Sequence, residues 1–409
     1  MQIAPSRWSF LASAILLATA TPAHAAAPVP AAEVRTALAD TSRAIHMVVL
    51  DEKGRARGDY HLTQGEWREY EAAWHTGQAI LGLLAAHEVL VDPELLTAAR
   101  RAGDWWIAQR IGSGRLAGLV NAAHGDRLGR LINFTTITNG TPGLFALTRA
   151  TGDRRYGDVA AESIRWLNAR TAVPSDPGLF YNIIDPDSGA IWRDRSPHHD
   201  VPRASLTQVA RPNIEGSPFL DLCRHSGERL WCDRHHDQAL RTAARQHDSG
   251  FWMDFEPNEP DSGRVHPRFN SWNAEAMLTA YRERRDPRLL AAALRTARAN
   301  VRLMQADGAF HYDNNLDGRR GSGGVTASAT AFAGLLWLDL RRLGHREFDP
   351  QIHAAARWLV ANRFRSDHPD PNLRGLPHEF RVRSDRVLVR DLGAPFTARF
   401  LAAYLREFP

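Results

Sequence analysis

The chain has 409 residues, of which 44% are hydrophobic and 24% are charged. This composition predicts a folded protein with a substantial core and excludes a disordered or low-complexity chain. The formal net charge of +5 is a mild bias towards anionic partners, without the concentrated basic pattern of a nucleic-acid-binding protein.

Residues 1–25 have the features of a secretory signal peptide. Arg7 supplies the positive charge, Phe10 to Ala20 form the apolar stretch, and Ala23-His24-Ala25 is a small-x-small cleavage site. The apolar stretch is too short to span a bilayer. We therefore expect a periplasmic or secreted protein whose mature chain, residues 26–409, is one catalytic domain with no stable membrane insertion.

The two cysteines, Cys223 and Cys232, flank a Ser-Gly turn. In an oxidising compartment such a pair can form a disulfide, with two buried free thiols as the alternative. Neither cysteine has the neighbours of a zinc site, and no dinucleotide or P-loop fingerprint occurs. We therefore expect no metal and no cofactor.

The chain is a series of two-helix units. Asp92-Pro93, Asp286-Pro287 and Asp349-Pro350 each divide one unit into two amphipathic runs, and Asp153 takes the same place without a proline. Aspartate as N-cap accepts the unpaired amides of a helix start, and proline at the first helical position has no amide to leave unpaired. These positions predict the starts of second helices.

First and second helices differ in composition. The first are rich in small and apolar residues all round, as in helices packed on every side, whereas the second carry charges along one stripe. Residues 31–49 supply a partner for the last helix, which would close a ring, although the same repeats permit an open solenoid. The six first helices are predicted to start near Glu71, Thr138, Pro212, Ser271, Val325 and Ala394.

Six inner and six outer helices that alternate along the chain describe an all-α fold, an (α/α)6 toroid. The chain thus resembles the six-hairpin glycosidase-like superfamily, which includes glycoside hydrolases, polysaccharide lyases and sugar epimerases. The resemblance concerns architecture and singles out no member.

The connections from each second helix to the next first helix are long and meet at one end of the ring. Long loops in a compact domain are usually functional. Three of them alternate in a strand-like way and predict short β-hairpins on this face, with turns at 187–189, 262–263 and 384–385. We also expect Gly140 and Gly143 to allow close packing at a helix start and to leave space for a ligand.

Aromatic and basic residues are concentrated in these loops, a combination that suits a saccharide with a carboxylate group. Aromatic rings pack against sugar faces, and arginine binds carboxylates through two parallel hydrogen bonds. Some of the rings are also expected to hold the loops onto the helices, and the loop charges can equally be solvated. The predicted substrate-binding residues are Tyr181, Trp192, Arg203, Arg211, Trp252, Trp272, Asn273, His311 and Tyr312.

Carboxylates near the starts of inner helices are the candidate catalytic groups, since glycoside hydrolysis needs an acid and a second carboxylate. We predict Glu215 or Glu275 as the acid, opposed by Asp254 or Asp313. A glutamate in a first helical turn can also be a simple cap, which is the interpretation favoured for Glu71.

The leading functional hypothesis is an exported glycoside hydrolase that acts on an anionic poly- or oligosaccharide. A polysaccharide lyase or uronyl C5-epimerase is the first alternative, with Tyr181, His311, Tyr312 or His378 as the base. Arg211, Asn270 or Asn273 would then neutralise the carboxylate. A ring that binds glycan without catalysis is the second alternative, because architecture does not determine function.

Overall fold

The computed structural model describes the chain in four stretches, residues 27–125, 128–195, 205–317 and 321–409. The predicted signal peptide and the predicted contact Arg203 lie outside these stretches. No helix in the described stretches is both long and apolar enough to cross a bilayer.

Inner and outer helices alternate along the chain as predicted. The outer helices are α1 (Ala31–Ala44), α3 (Pro93–Ala108), α5 (Arg154–Thr171), α8 (Arg229–Ala244), α10 (Pro287–Leu303) and α12 (Asp349–Ala361). The inner helices are α2 (Ala72–Leu90), α4 (Phe134–Thr151), α7 (Pro218–Ser226), α9 (Pro267–Arg284), α11 (Ala327–Arg342) and α13 (Gly393–Glu407). A single turn of helix, α6 (Leu206–Val209), precedes α7.

Burial separates the two sets of helices. In α4 every residue from Phe134 to Phe145 is buried, whereas α10 buries a stripe that includes Leu289, Ala292, Thr296 and Leu303. This three- and four-residue spacing is one face of an amphipathic helix. The inner helices therefore form the core and the outer helices shield it from water.

The ring closes through the N-terminal helix. Helix α1 packs against α13, α2 and α12, and the Val29 amide donates to the Tyr404 hydroxyl at 3.0 Å. The closed (α/α)6 toroid is confirmed, and the open solenoid is excluded by this contact between the two ends of the described chain.

Aspartate caps explain three of the four second-helix starts that were predicted at an aspartate. The side chains of Asp92, Asp153 and Asp286 each accept a hydrogen bond from the backbone amide two residues later. Asp349 differs, because a 3-10 turn at Arg346–Phe348 precedes it and places it inside α12. Its carboxylate accepts from Arg341 at 3.0 Å instead of capping the helix.

Short strands collect at the end of the ring where the inner helices begin. The predicted turn at 384–385 joins two paired strands, whereas the turns at 187–189 and 262–263 are closed only by the isolated bridges Ile184–Ile191 and Glu259–Arg264. One sheet has the order β12, β13, β1, β2; the others are β11-β10-β9, β3-β4-β7 and β5-β6-β8. The strands are β1 (Asp59–His61), β2 (Glu66–Arg68), β3 (Ala123–Gly125), β4 (Gly129–Asn133), β5 (Ala172–Val173), β6 (Asp176–Tyr181), β7 (Ile183–Ile184), β8 (Ala210–Arg211), β9 (Arg264–Val265), β10 (His311–Asn315), β11 (Ser322–Val325), β12 (Phe380–Val382) and β13 (Val387–Arg390).

A disulfide joins Cys223 of α7 to Cys232 of α8. It links the shortest inner helix to its outer partner across the Ser-Gly turn.

The small residues of α4 serve packing against α2. Helix α4 begins at Phe134, four residues before the predicted start, so Gly140 and Gly143 lie in its middle. A Cβ on Gly143 would lie 2.2 Å from the Gly77 carbonyl oxygen, and one on Gly140 would lie 2.6 Å from the Ala73 oxygen. The expectation that these glycines leave space for a ligand is wrong, because the backbone of α2 fills that space.

Replacement of Gly143 by alanine should therefore destabilise the protein. The added methyl meets backbone, which cannot rotate away, and overpacking of this kind costs about 1–3 kcal/mol. The measurement is the free energy of unfolding in denaturant. Gly112→Ala is the matched control, because a Cβ there meets nothing within 4 Å. Equal stability of the two variants would contradict the packing role.

Candidate active site

A cavity of about 390 Å³ opens at the end of the ring where the inner helices begin. Acidic and amide side chains on its α2, α4 and α7 side are Glu71, Asn133, Asn139 and Glu215. Cationic side chains around the starts of α9 and α13 are Arg264, Arg268, Arg381, Arg383, Arg386 and Arg390. Aromatic rings between them are Tyr70, Trp74, Phe269, Trp272 and Tyr312. The cavity therefore has an acidic side and a cationic side.

Glu71 stands at the start of α2 in a strained backbone conformation. Its φ of 43° and ψ of 46° lie in the left-handed region, which is costly for a residue other than glycine. The carboxylate makes no capping bond to its own helix; it accepts from Asn133 Nδ2 at 3.1 Å and Thr136 Oγ1 at 3.2 Å. The strained backbone thus directs a buried carboxylate across the cavity wall towards α4.

Glu215 lies in the turn between β8 and α7 and is 1% exposed. Its Oε1 accepts from Arg211 at 3.2 Å, and its Oε2 is buried without a hydrogen-bond partner. The Arg211 guanidinium also stacks on the Phe269 ring at 4.8 Å. Because a buried polar atom normally has a partner, the free oxygen marks Glu215 as a group that a ligand or water would satisfy.

Tyr70 lies beside Glu71 and beneath an arginine. The Arg390 guanidinium is 5.0 Å from the Tyr70 ring centroid, and its Nε donates to Asp59 Oδ1 at 2.9 Å. Burial, reinforced by the nearby Glu71 carboxylate, raises the pKa of Tyr70 far above its ordinary value of 10.0. The phenol therefore stays neutral and can donate a hydrogen bond.

A buried His75–Asp391 pair supports this wall from behind, with Nδ1 2.6 Å from Oδ1 and both side chains 1% exposed. The other Asp391 oxygen accepts from the Gly58 amide at 2.9 Å. The pair thus ties α2 to the start of α13 and to the strand segment that carries Tyr70.

The cationic side is held in place by acids outside the cavity lining. Asp313 accepts from Arg264 and from Arg383, both at 3.0 Å. Arg268 stacks over the Trp74 ring at 5.2 Å and donates to Ser328 at 3.3 Å; burial, together with Arg390, lowers the pKa of Arg268. A carboxylate that enters this side would relieve the repulsion among these cations.

His266 faces the same space as a neutral imidazole. Its ring meets the edge of Tyr312 at 4.9 Å, and both ring nitrogens are buried without hydrogen-bond partners. Burial, followed by the charges of Arg268 and Arg390, lowers the pKa of His266 well below 6.5. A neutral ring of this kind can donate or accept a hydrogen bond.

The cavity includes four of the predicted site residues, Arg211, Glu215, Trp272 and Tyr312. Asp313, predicted as a carboxylate partner in catalysis, lies behind the wall and orients two arginines. His311 precedes Tyr312 in β10 and is outside the cavity lining, because neighbouring residues of a strand point to opposite faces.

The other predicted residues lie elsewhere. Glu275 lies in a separate cavity, because α9 begins at Pro267 and eight residues of helix place Glu275 about 12 Å from the start of that helix. Its carboxylate pairs with Arg399 at 3.1 Å, and burial raises its pKa. Asp254 is exposed in a loop.

The remaining aromatic and amide predictions also fall outside the main cavity. Trp252 belongs to the core and donates to the Thr242 carbonyl at 2.7 Å, and Asn273 is fully buried in α9. Tyr181 lies under Arg193, whereas Trp192 borders a small adjoining cavity.

Several cavity residues were not predicted from the sequence. One signal for them exists: Arg381 and Arg383 are two residues apart in the stretch "HEFRVRSDRVLVRD", and Arg386 and Arg390 follow the turn. Period-two spacing in a hairpin places side chains on one face, so this ribbon was recognisable as a cationic wall. The missed residues include Tyr70, Trp74, His124, Asn133, Asn139, Arg264, His266, Arg268, Arg381, Arg383, Arg386 and Arg390.

Among the described residues, no group of three or more His, Cys, Asp or Glu side chains is arranged to hold a metal ion.

Comparison with known proteins shows similarity in structure alone. No protein-family model and no curated protein sequence matches the chain significantly. A cellobiose 2-epimerase from Bacillus thermoamylovorans B4167 superposes with a TM-score of 0.72 at 12% identity, over 92% of this chain and 99% of that one. An unsaturated glucuronyl hydrolase specific for heparin gives 0.63 at 15% identity, over 92% and 97%. A D-mannose isomerase gives 0.65 at 12% identity, over 95% and 100%.

These likenesses confirm the resemblance to six-hairpin glycosidase-like toroids at the level of the fold. The similarity spans nearly the whole length of each protein, so the ring of hairpins is shared from end to end.

The buried neutral state of His266 makes stability depend on pH. Its pKa is lower in the folded protein than in the unfolded chain, so the unfolded chain binds the extra proton and stability falls as the pH drops below about 6.5. Between pH 7 and pH 5 this one group can cost at most about 2 kcal/mol. His266→Gln should therefore lose less stability than the wild type over this interval in denaturant titrations. An equal loss in both proteins would contradict the buried neutral imidazole.

Proposed function

We propose that this protein is an enzyme that acts on a uronate-containing saccharide and hydrolyses a glycosidic bond. The observation that carries the proposal is the division of the cavity. Seven arginines and three glutamates line it, and two of the glutamates are buried on the side opposite most of the arginines. A sugar carboxylate fits the cationic side and leaves the reacting carbon near the acids.

The arginines suit a carboxylate better than a neutral hydroxyl. A guanidinium presents two parallel N–H groups to two carboxylate oxygens, and the low dielectric of a buried site strengthens this attraction. Arg268 is the most central candidate, because it is 7% exposed and makes no ion pair within the described stretches.

Glu71 and Glu215 are the proposed pair of catalytic carboxylates. They stand before α2 and α7, on either side of the start of α4. The free oxygen of Glu215 beside Arg211 suits a base or nucleophile. Glu71 is then the proton donor to the leaving oxygen, with the Tyr70 phenol as a neighbouring hydrogen-bond donor. Proton transfer by a positioned side chain typically contributes a factor of about 10²–10⁴ in rate.

The aromatic rings provide surfaces for the sugar. Trp74 and Trp272 lie 6.0 Å apart between centroids with a tilt of 33°, and both line the cavity. Apolar ring faces with polar groups around them suit a pyranose. The structural neighbours named as a cellobiose 2-epimerase and a glucuronyl hydrolase act on saccharides, which supports the same class of substrate for this chain.

Elimination or C5-epimerisation of a uronate is the second candidate. Both reactions need the carboxylate neutralised and a proton moved at the adjacent carbon. His266, which lies beside Tyr312 with both ring nitrogens free of partners, is the group placed to accept that proton. The arginines would stabilise the negative charge that develops on the carboxylate.

We also propose that the protein is exported. The sequence features of residues 1–25 support this, and so does the Cys223–Cys232 disulfide, since disulfides persist in oxidising compartments.

Substitution of either cavity glutamate should remove activity. Glu71→Gln and Glu215→Gln keep the shape of the side chain and abolish its acid–base function, so each should lower kcat on the best uronate substrate at least 100-fold. Asp254→Asn, in an exposed loop, is the control and should retain wild-type turnover. A wild-type kcat in both glutamine variants would contradict the carboxylate mechanism.

Incubation of the protein with a uronate oligomer in D₂O, followed by analysis of the products, determines the class of reaction. Hydrolysis releases reducing ends without ultraviolet absorbance, and this is the expected result. Elimination gives an absorbing unsaturated product, whereas epimerisation places deuterium at C5 with unchanged chain length. Either of the last two results replaces hydrolysis by the second candidate.

A further inference from the structure

A second cavity of about 380 Å³ adjoins the main one on the side of the four-stranded sheet. We call it the side cleft. Its wall includes Asp59, His61, Arg68, Tyr70, Arg381 and Arg386. It is almost as large as the main cavity, and both volumes fall in the range of ligand sites.

The sheet explains why this wall is polar. Arg390 and Arg68 lie directly opposite Asp59, and Leu388 lies opposite both His61 and Arg381. Directly opposite residues in antiparallel strands share a face. Asp59, His61, Arg68, Arg381 and Leu388 line the side cleft on this face, whereas Arg390 lines the main cavity. The alternate residues, among them Tyr60 and Trp67, occupy the other face.

The two cavities share Tyr70, Arg381 and Arg386 in their walls. A chain-like ligand in the main cavity can therefore continue past these residues into the side cleft. Tyr70 would then contact the unit beside the reacting bond. Arg381 and Arg386 would contact the neighbouring unit of the same ligand.

Charge at the junction is not balanced by the protein. Asp59 pairs with Arg390, Glu69 with Arg55, and Arg68 with Glu66. Arg381 and Arg386, in contrast, make no ion pair within the described parts of the chain, and the Nε atom of each is buried without a partner. Two unpaired cations side by side favour an anionic group between them.

His61 adds an independent sign that the side cleft is a binding site. The side chain is 6% exposed, and its Nδ1 is buried with no hydrogen-bond partner. Leaving a buried polar atom unsatisfied costs about 1–3 kcal/mol. A hydroxyl or carboxylate of a ligand in the side cleft would satisfy it.

We propose that the side cleft is a further saccharide subsite that takes the anionic unit that follows the disaccharide in the main cavity. The inference rests on the proposed function, and it makes the substrate a linear oligosaccharide of at least three units with anionic units at the junction and in the side cleft. Arg381 and Arg386 hold the charge at the junction, and His61 holds the next sugar.

The test is calorimetric binding of oligoglucuronate, oligogalacturonate and oligomannuronate, each two and four units long, to the wild-type protein and to variants of the side cleft. For the series that binds best, the tetramer should bind at least tenfold more tightly than the dimer. Arg68→Glu and His61→Ala should each weaken tetramer binding about tenfold and change dimer binding less than twofold.

Lys53→Glu is the matched control for Arg68→Glu, since both residues are exposed and both substitutions change the net charge by the same amount. The Lys53→Glu variant should bind both oligomers as the wild-type protein does. Equal affinities for dimer and tetramer, or equal losses for both lengths in the variants, would overturn the further subsite. Length-dependent binding without turnover of any uronate supports the subsite and rejects the proposed reaction. No binding of any oligomer overturns both.

Discussion

The contact between the first and last helices of the ring is the constraint on which the site depends. The Val29 amide bonds to Tyr404 of α13, and the same hydroxyl lies 2.8 Å from Nδ1 of His353 in α12. These bonds and the apolar packing of α1 hold α13 in the inner layer. Because the ring is closed, the starts of α2 and α13 are neighbours. Arg390 therefore lies beside Tyr70 and Glu71, although more than 300 positions separate it from them in the chain.

Closure also determines the electrostatics of the mouth. Helix N-termini carry partial positive charge and unpaired amides, and the inner helices start at the same end as the arginine-bearing hairpins. The positively charged arginines of these hairpins would repel one another if no acidic side chain lay behind them. Asp313, Asp59 and the buried Glu379, which accepts from the Ser328 amide at 2.6 Å, offset part of the charge from behind. The side facing the cavity is left cationic, and this is the basis for an anionic substrate.

The helical layers could be predicted from the sequence because their signals are local. An aspartate cap acts within three residues, and an apolar stripe is visible within one helix. The errors arose where a short offset changes the surroundings of a side chain. Glu275 lies deep in the ring because α9 starts four residues before the predicted position, and the glycines of α4 face α2 because that helix also starts early.

The site was harder to predict because it depends on contacts between distant segments. Glu71 looked like a helix cap, and only its left-handed backbone and the distant Asn133 turn its carboxylate into the cavity wall. His266 has no sequence signature, since its surroundings come from three separate loops. The arginine ribbon before α13 could have been recognised from its period-two spacing, which is a local pattern.

The central claim is that the cationic side of the cavity selects a carboxylate. It is tested most directly by calorimetric comparison of a uronate disaccharide with the same disaccharide whose carboxylate has been reduced to the alcohol. At low salt the uronate should bind at least tenfold more tightly, and added salt should reduce the difference. Equal affinities for the two disaccharides would contradict the account.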